Sequence, residues 1–316
     1  MKVYINRQPI SGPWGGGNRT VVSLVEQLNA KGHQVVYTLK DSDIDLLFCF
    51  DPRPNNFGED FRHIYQYKSI HNSKVVQRIG DLGLHSKPQL TQILEYSVPH
   101  ADLALFISDY AMNYLRERCI LPPESHVVNL APPATFFNNR RHNEDTSPVA
   151  KIVTHHWSTN PKKGFDYYQL LDGLLKDINC EFTYIGRKPD SVHFSNINYM
   201  KPMNAIELIQ ELPKHDIYLT ASVEETGGNH VLEAMACGLP VVYHQNGCGI
   251  VDYCHKYGEQ YADAESMIAT ILKVINNYSI YKNAVMSYEN TLETMISAYI
   301  DLMENEFEKL QSEYKH

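Results

Sequence analysis

Residues 217–242 write out a complete strand–loop–helix–strand unit, and few folds accept one. Ile217–Thr220 is a short run of strand formers, and His230–Cys237 is an apolar stretch at helical spacing. Gly238-Leu239-Pro240 ends that stretch, and Pro240–His244 reads as the next strand. Parallel strands joined by a crossover helix are the building block of α/β sheets. Two carboxylates punctuate the unit. Glu225 sits on the loop entering the helix, and Glu233 falls about one turn inside it. Both therefore project into the crevice at the carboxyl end of the strand, where open α/β sheets bind ligands. The free N–H groups and positive dipole end of the helix suit an anionic, phosphate-bearing ligand there. The carboxylates can accept hydrogen bonds from sugar hydroxyls.

The same alternation runs through the chain. Strands are expected at Val3–Asn6, Gln34–Leu39, Leu46–Phe50, Lys74–Ile79, Leu103–Ile107 and His126–Asn129. Helices are expected at Thr20–Lys31, Gln89–Ser97 and Asp109–Cys119, with Ile10–Arg19 as a Gly-rich loop. The continuous apolar run at Leu46–Phe50 suggests burial on both faces. Asn138–Pro148 is polar and breaker-rich, so a domain boundary is placed there. A second series follows: strands at Lys151–His155, Phe182–Gly186, Ile217–Thr220 and Pro240–His244, and helices at Phe165–Leu175, Asn204–Leu212 and His230–Cys237. Tyr288–Tyr314 is long, helical in pattern and rich in Glu and Lys. The reading is two mostly parallel α/β domains, 1–147 and 148–287, with a C-terminal helix over 288–316.

Composition narrows the function. With 316 residues the chain is comfortable for two domains. Its formal net charge of −9 argues against a fold-wide nucleic-acid or anionic-membrane footprint, leaving at most peripheral membrane contact. No apolar run approaches a membrane span. The N-terminus enters a strand pattern at once, and the six cysteines lack metal or disulfide spacing, so a reducing, cytoplasmic setting is expected.

Other motifs are weaker. The loop Gly12-Pro13-Trp14-Gly15-Gly16-Gly17-Asn18 follows a strand and opens a helix, so Gly16 and Gly17 can bring backbone close to a ligand. It is not G-x-G-x-x-G, which excludes a nicotinamide fingerprint. Lys163, in Lys162-Lys163-Gly164, lies in the first loop of the second series, where its charge can neutralise a departing diphosphate or simply be solvated. His155 and His156 are adjacent, so they point to opposite faces of a strand and make a poor metal pair. Arg78, Asp81 and His85 follow a first-series strand, and Asp81 either holds an acceptor hydroxyl or caps a helix. Asp43-Ile44-Asp45 matches a D-x-D metal pattern, but it precedes a buried strand and reads as a turn. No metal is expected.

Together these residues resemble the retaining nucleotide-sugar glycosyltransferases of family 4, which have the GT-B fold. Glu225 through Val242 follows that family's E-x7-E pattern and its E-A-M-A-x-G-x-P-V-V run. Gly32-His33-Gln34-Val35, Asn129 through Phe137 and Lys163-Gly164 look like further family segments. The resemblance implies two facing Rossmann-like domains, with the last helix returning to the first. It implies that Glu225 contacts the transferred sugar, assisted by the amides near Gly227, Gly228 and Asn229. Glu233 would bind the ribose, Lys163 would stabilise the diphosphate, Gly16 and Gly17 would lie near phosphates or acceptor, and the base would lie near Met200–Met203. The family's arginine before the lysine is Ser158 here, so His156 or Arg187 is the candidate replacement. The family's first-domain histidine falls closest to Asp81. The implied activity is metal-independent transfer of a hexose-type sugar from a nucleoside diphosphate donor to a hydroxyl acceptor, with no cofactor. An epimerase or hydrolase of the same fold and a non-catalytic sugar-nucleotide-binding subunit remain as alternatives.

Overall fold

The computed structural model describes residues 1–10, 15–85 and 87–313. The chain divides into two compact units. One comprises Met1–Leu130 with the C-terminal segment from Leu292, and the other Ala131–Thr291.

The first unit runs β1 (Lys2–Ile5), α1 (Gly16–Ala30), β2 (Gln34–Val36), β3 (Leu46–Cys49), α2 (Phe61–Ile70), β4 (Lys74–Ile79), α3 (Pro88–Ser97), β5 (Leu103–Phe106), α4 (Asp109–Arg116) and β6 (Glu124–Val127). Its sheet has the order β2-β1-β3-β4-β5-β6, with every pairing parallel. All four residues of β3 and of β5 are buried, as expected of strands covered on both faces. The helix expected from Thr20 begins at Gly16, with Gly15 in an extended N-cap conformation. Inward-facing Thr20, Val21, Leu24 and Leu28 anchor it, and the two glycines simply continue the turn backwards. The strand expected at His126–Asn129 sits two residues earlier. It is a half-buried edge strand, so its hydrogen-bond register with β5, and not its apolar pattern, decides its position. Helix α2 was not anticipated. Only Ile64 and Tyr67 are buried on it, and its capping box uses His63 where Glu or Gln is the usual signal.

The second unit runs β7 (Ala150–His156), α5 (Phe165–Leu174), β8 (Cys180–Gly186), β9 (Asn198–Met200), α6 (Ala205–Glu211), β10 (Ile217–Thr220), α7 (Asn229–Ala236), β11 (Val241–His244), α8 (Gly249–Cys254), β12 (Gly258–Tyr261), α9 (Ala264–Asn276) and α10 (Tyr278–Met286). The order is β12-β11-β10-β7-β8-β9, again with parallel pairings. Its core includes Ile152, Tyr168, Leu171, Phe182, Tyr184, Leu219, Val242 and Ile271. Asp216, fully buried immediately before β10, accepts from Arg141 Nη2 (2.5 Å), Lys151 N (2.7 Å) and Ser147 N (3.1 Å). The polar stretch 138–148 is thereby tied to this unit.

The final helix, α11 (Leu292–Glu313), packs on α1 of the first unit, where Glu304 meets Lys31 (2.9 Å) and His33 (2.8 Å). It starts later than the helical pattern beginning at Tyr288. Tyr314 lies outside the described residues. Among the described residues no helix is long and apolar enough to cross a membrane.

Candidate active site at the strand-order switch of the second unit

In the second unit β8 and β9 lie to one side of β7, while β10, β11 and β12 lie to the other. The chain after β7 and the chain after β10 therefore leave from adjacent strand ends in different directions. That divergence opens a crevice, the usual ligand position of open α/β sheets.

Two loops meet there. After β7 a 3₁₀ turn, Pro161–Lys163, is capped by Asn160, whose side chain accepts from Lys162 N at 2.9 Å. Gly164 then adopts φ +76°, and a Cβ there would lie 2.3 Å from Ala221 O, on the loop after β10. Val223 N donates to Lys162 O at 2.9 Å, joining the two loops through backbone. The approach brings Lys163 Nζ onto Glu225 Oε1, and Lys162 pairs with Glu224. Lys163 and Glu225 side chains are only 11 % and 12 % exposed, so the pair is not a surface ornament. The turn after β11 braces the arrangement: Glu224 N donates to Asn246 O (2.9 Å) and Gly249 N to Glu225 O (2.8 Å). Glu224 itself has φ +54°.

Because L side chains are strained at Gly164 and the added methyl meets backbone, Gly164→Ala should destabilise the chain by about 1–3 kcal/mol. It should also weaken whatever Lys163 and Glu225 bind. Thermal melts of the variant check this, and an unchanged midpoint would contradict it.

Helix α7 points its start at the same place. Gly228 is its N-cap and offers no side-chain cap, so the first-turn amides are left for solvent or ligand. A Cβ on Gly228 would meet Ile250 Cγ1 at 2.9 Å, so a larger residue would push the helix start away. One turn in, Glu233 is buried, and its Oε2 accepts from His155 Nε2 at 2.9 Å.

Three histidines crowd behind this carboxylate. His230, on α7, lies with its ring centroid 5.1 Å from that of His156 and 6.3 Å from that of His155. His230 Nε2 is 3.1 Å from Thr220 Oγ1. His156 Nε2 is 2.7 Å from the Tyr168 hydroxyl, which accepts from Ala221 N at 3.0 Å. Burial, then the Lys163 charge, holds both His156 and His230 well below the ordinary imidazole range, so both are neutral. His155 Nδ1, His156 Nδ1 and Ser222 Oγ are buried without a hydrogen-bond partner among the described residues. Orphaned polar atoms are uncommon in native interiors, and three of them stand at the ends of β7 and β10.

The structure thus brings together Lys163, Glu225, Gly227, Gly228, Asn229, Glu233 and His156. Neutral His156 cannot replace the cation missing at Ser158. Arg187 is an exposed cation at the adjacent strand end: its N–H donates to His156 O (3.0 Å), and its guanidinium lies 4.5 Å from the exposed Trp157 ring. Met200 ends β9, beside the half-exposed Tyr199. Three expected residues belong to the first unit. Gly16 and Gly17 form the first turn of α1, whereas Gly12, Pro13 and Trp14 lie outside the described residues. Asp81 is employed structurally, accepting from Gly83 N (2.8 Å) and pairing with Lys87 (2.7 Å). Asp45 of the D-x-D pattern accepts from Lys2 N, and Asp43 pairs with Lys2 Nζ. Among the described residues no group of three or more His, Cys, Asp or Glu side chains is placed to hold a metal ion.

His230, Tyr168 and Ser222 were not anticipated here, and of the adjacent His155 and His156, of which one was expected to line the crevice, His155 is the one that meets Glu233. For His230 a signal existed: it lies three residues before Glu233, hence on the same helix face.

Comparisons follow the geometry. Residues 156–277 match the family described as Glycosyl transferases group 1. No curated protein matches by sequence. Among solved structures, sucrose-phosphate synthase from Thermosynechococcus elongatus is similar at TM-score 0.72 and 13 % identity, covering 98 % of this chain and 99 % of that one. WaaG, a glycosyltransferase involved in lipopolysaccharide biosynthesis, is similar at TM-score 0.65 and 14 % identity, covering 96 % and 99 %. Anabaena HepE in complex with UDP-glucose is similar at TM-score 0.68 and 14 % identity, covering 96 % and 100 %. The chain has the GT-B fold, built from two Rossmann-like parallel-sheet units.

Proposed function

We propose that this chain is a retaining, metal-independent glycosyltransferase that moves a hexose-type sugar from a nucleoside diphosphate donor to a hydroxyl acceptor. The observation that carries the reading is the Lys163–Glu225 pair, held at the β7/β10 switch beside the uncapped start of α7. Charge develops on the diphosphate as it departs. Lys163 and the α7 amides stabilise it from fixed positions, so no reorganisation is needed at the moment of reaction. Glu225 accepts hydrogen bonds from the transferred sugar. Glu233, oriented by the N–H of His155 Nε2, accepts from the ribose hydroxyls. Arg187 supplies a second cation near the diphosphate, and the base lies toward Met200–Met203. The bound UDP-glucose of HepE makes UDP-hexoses the first donors to test.

A thermal-shift panel of UDP-, GDP-, ADP- and dTDP-sugars tests the donor. A ligand at a hundred times its dissociation constant stabilises by roughly 2.7 kcal/mol, so one nucleotide family should stand out. Silence across the panel sinks the donor assignment. NMR of the product anomer tests retention, and an inverted linkage would overturn it. Interconversion or hydrolysis of the donor without acceptor would favour the epimerase or hydrolase reading.

A further inference from the structure

We propose that Arg78 and the first turn of α1 form an oxyanion site on the first unit, taking a phosphomonoester or carboxylate group on a sugar-sized ligand. Arg78 ends β4 and is only 6 % exposed. Its guanidinium lies 4.5 Å from the ring centroid of Phe50, just past β3. The same ring abuts α1: a Cβ on Gly17 would sit 3.8 Å from Phe50 Cε1. Gly80 leaves the space that the guanidinium occupies, since a Cβ there would lie 1.9 Å from Nη1.

Among the described residues this guanidinium has no carboxylate partner and no hydrogen-bond acceptor, and its Nε is buried and unpaired. Asp51, which follows Phe50, is engaged by Arg53 (2.6 Å), and Asp81, three residues after Arg78, by Lys87 (2.7 Å). A buried, unpaired cation is unfavourable, and one aromatic face offsets only part of that cost. A permanently charged planar fork is matched by an oxyanion offering two oxygens.

Two further features converge on the spot. Helix α1 has 15 residues, and its Gly15 N-cap has no side chain to satisfy the first-turn amides. In this sheet the strand order reverses between β1, which leads into α1, and β3, which leads into Phe50. Identifying the ligand as the acceptor rests on the glycosyl-transfer reading; the anion site itself does not.

Calorimetry on the full chain with glucose 6-phosphate, glucuronate, glucose and inorganic phosphate tests it. One of the two anionic sugars should bind and glucose should not, and which anion wins tells ester from carboxylate. Inorganic phosphate binding as tightly as glucose 6-phosphate would overturn the sugar-sized ligand. Arg78→Met should weaken the anionic sugar about tenfold to a hundredfold, while UDP-glucose affinity holds and the melting temperature is kept or raised. A fall in melting temperature with anion affinity intact would show a purely structural role and refute the site. Loss of UDP-glucose binding by the wild-type chain would instead sink the donor reading alone.

Discussion

Lys163→Ala should lower sugar transfer by roughly 10²–10³ in turnover, the usual cost of removing one preorganised stabiliser of developing negative charge. The expectation follows from position. Lys163 is one of few buried cations among the described residues of the second unit, and it pairs with Glu225 on the loop that enters α7. Its removal has a second consequence. Glu225 would keep a largely buried carboxylate without its partner, which costs stability beyond the lost attraction. The single variant therefore mixes two effects, and Lys163→Ala with Glu225→Ala together separates them. The double variant should melt closer to the wild type than either single one, yet remain inactive. Glu225→Ala alone should also abolish transfer while Lys163 stays in place. Initial rates with a UDP-hexose, alongside melts, decide the matter; near-wild-type turnover in Lys163→Ala would refute the assignment.

Acid should unfold this protein earlier than its carboxylates alone would. His156 and His230 are held neutral in the folded chain by burial, with Lys163 and His155 opposing further charge around them. His215 shifts in the same direction for the same reason, burial. Each folded-state pKa lies below the unfolded value near 6.5. The unfolded chain therefore binds protons that the native one refuses. Stability is complete above about pH 6.5 and falls as pH drops toward the depressed folded values. Each such histidine adds a slope of roughly 1.4 kcal/mol per pH unit where the unfolded state is protonated and the folded one is not. Urea midpoints at several pH values between 7.5 and 5 measure it. A flat midpoint across that window would show that the imidazoles are not buried as described.

Most of the repeating architecture was legible because parallel strands covered on both faces leave continuous apolar runs. Lys74–Ile79 and Ile217–Thr220 lie where the residues place them. Edge and short elements were not, for physical reasons. Strand β9 has burial on one residue's worth of chain at most, and β12 is polar apart from Tyr261. Their identity comes from backbone pairing with β8 and β11, which leaves little trace in side chains. Helices α8 to α10 fall in a stretch without a motif, although the Asp263 capping box of α9 is a local signal. Asp81 shows the limit of reading a single polar residue: the same carboxylate suits an acceptor contact or a turn, and here it holds Gly83 and Lys87.

At the site, the residues by themselves determined that Glu225 lies on a loop entering a helix and Glu233 one turn inside it, because helical spacing and glycine punctuation are local properties. Only the tertiary structure decided that Lys163 meets Glu225. The two are far apart in the chain, and their encounter follows from β7 pairing with β10, from the left-handed Gly164 passing against Ala221, and from Val223 N reaching Lys162 O. The same holds for His155 beneath Glu233 and for Arg78 over Phe50. Strand order is chosen by the packing of whole elements, which no window of sequence contains, so the partners of a charge are known only once the sheet is assembled.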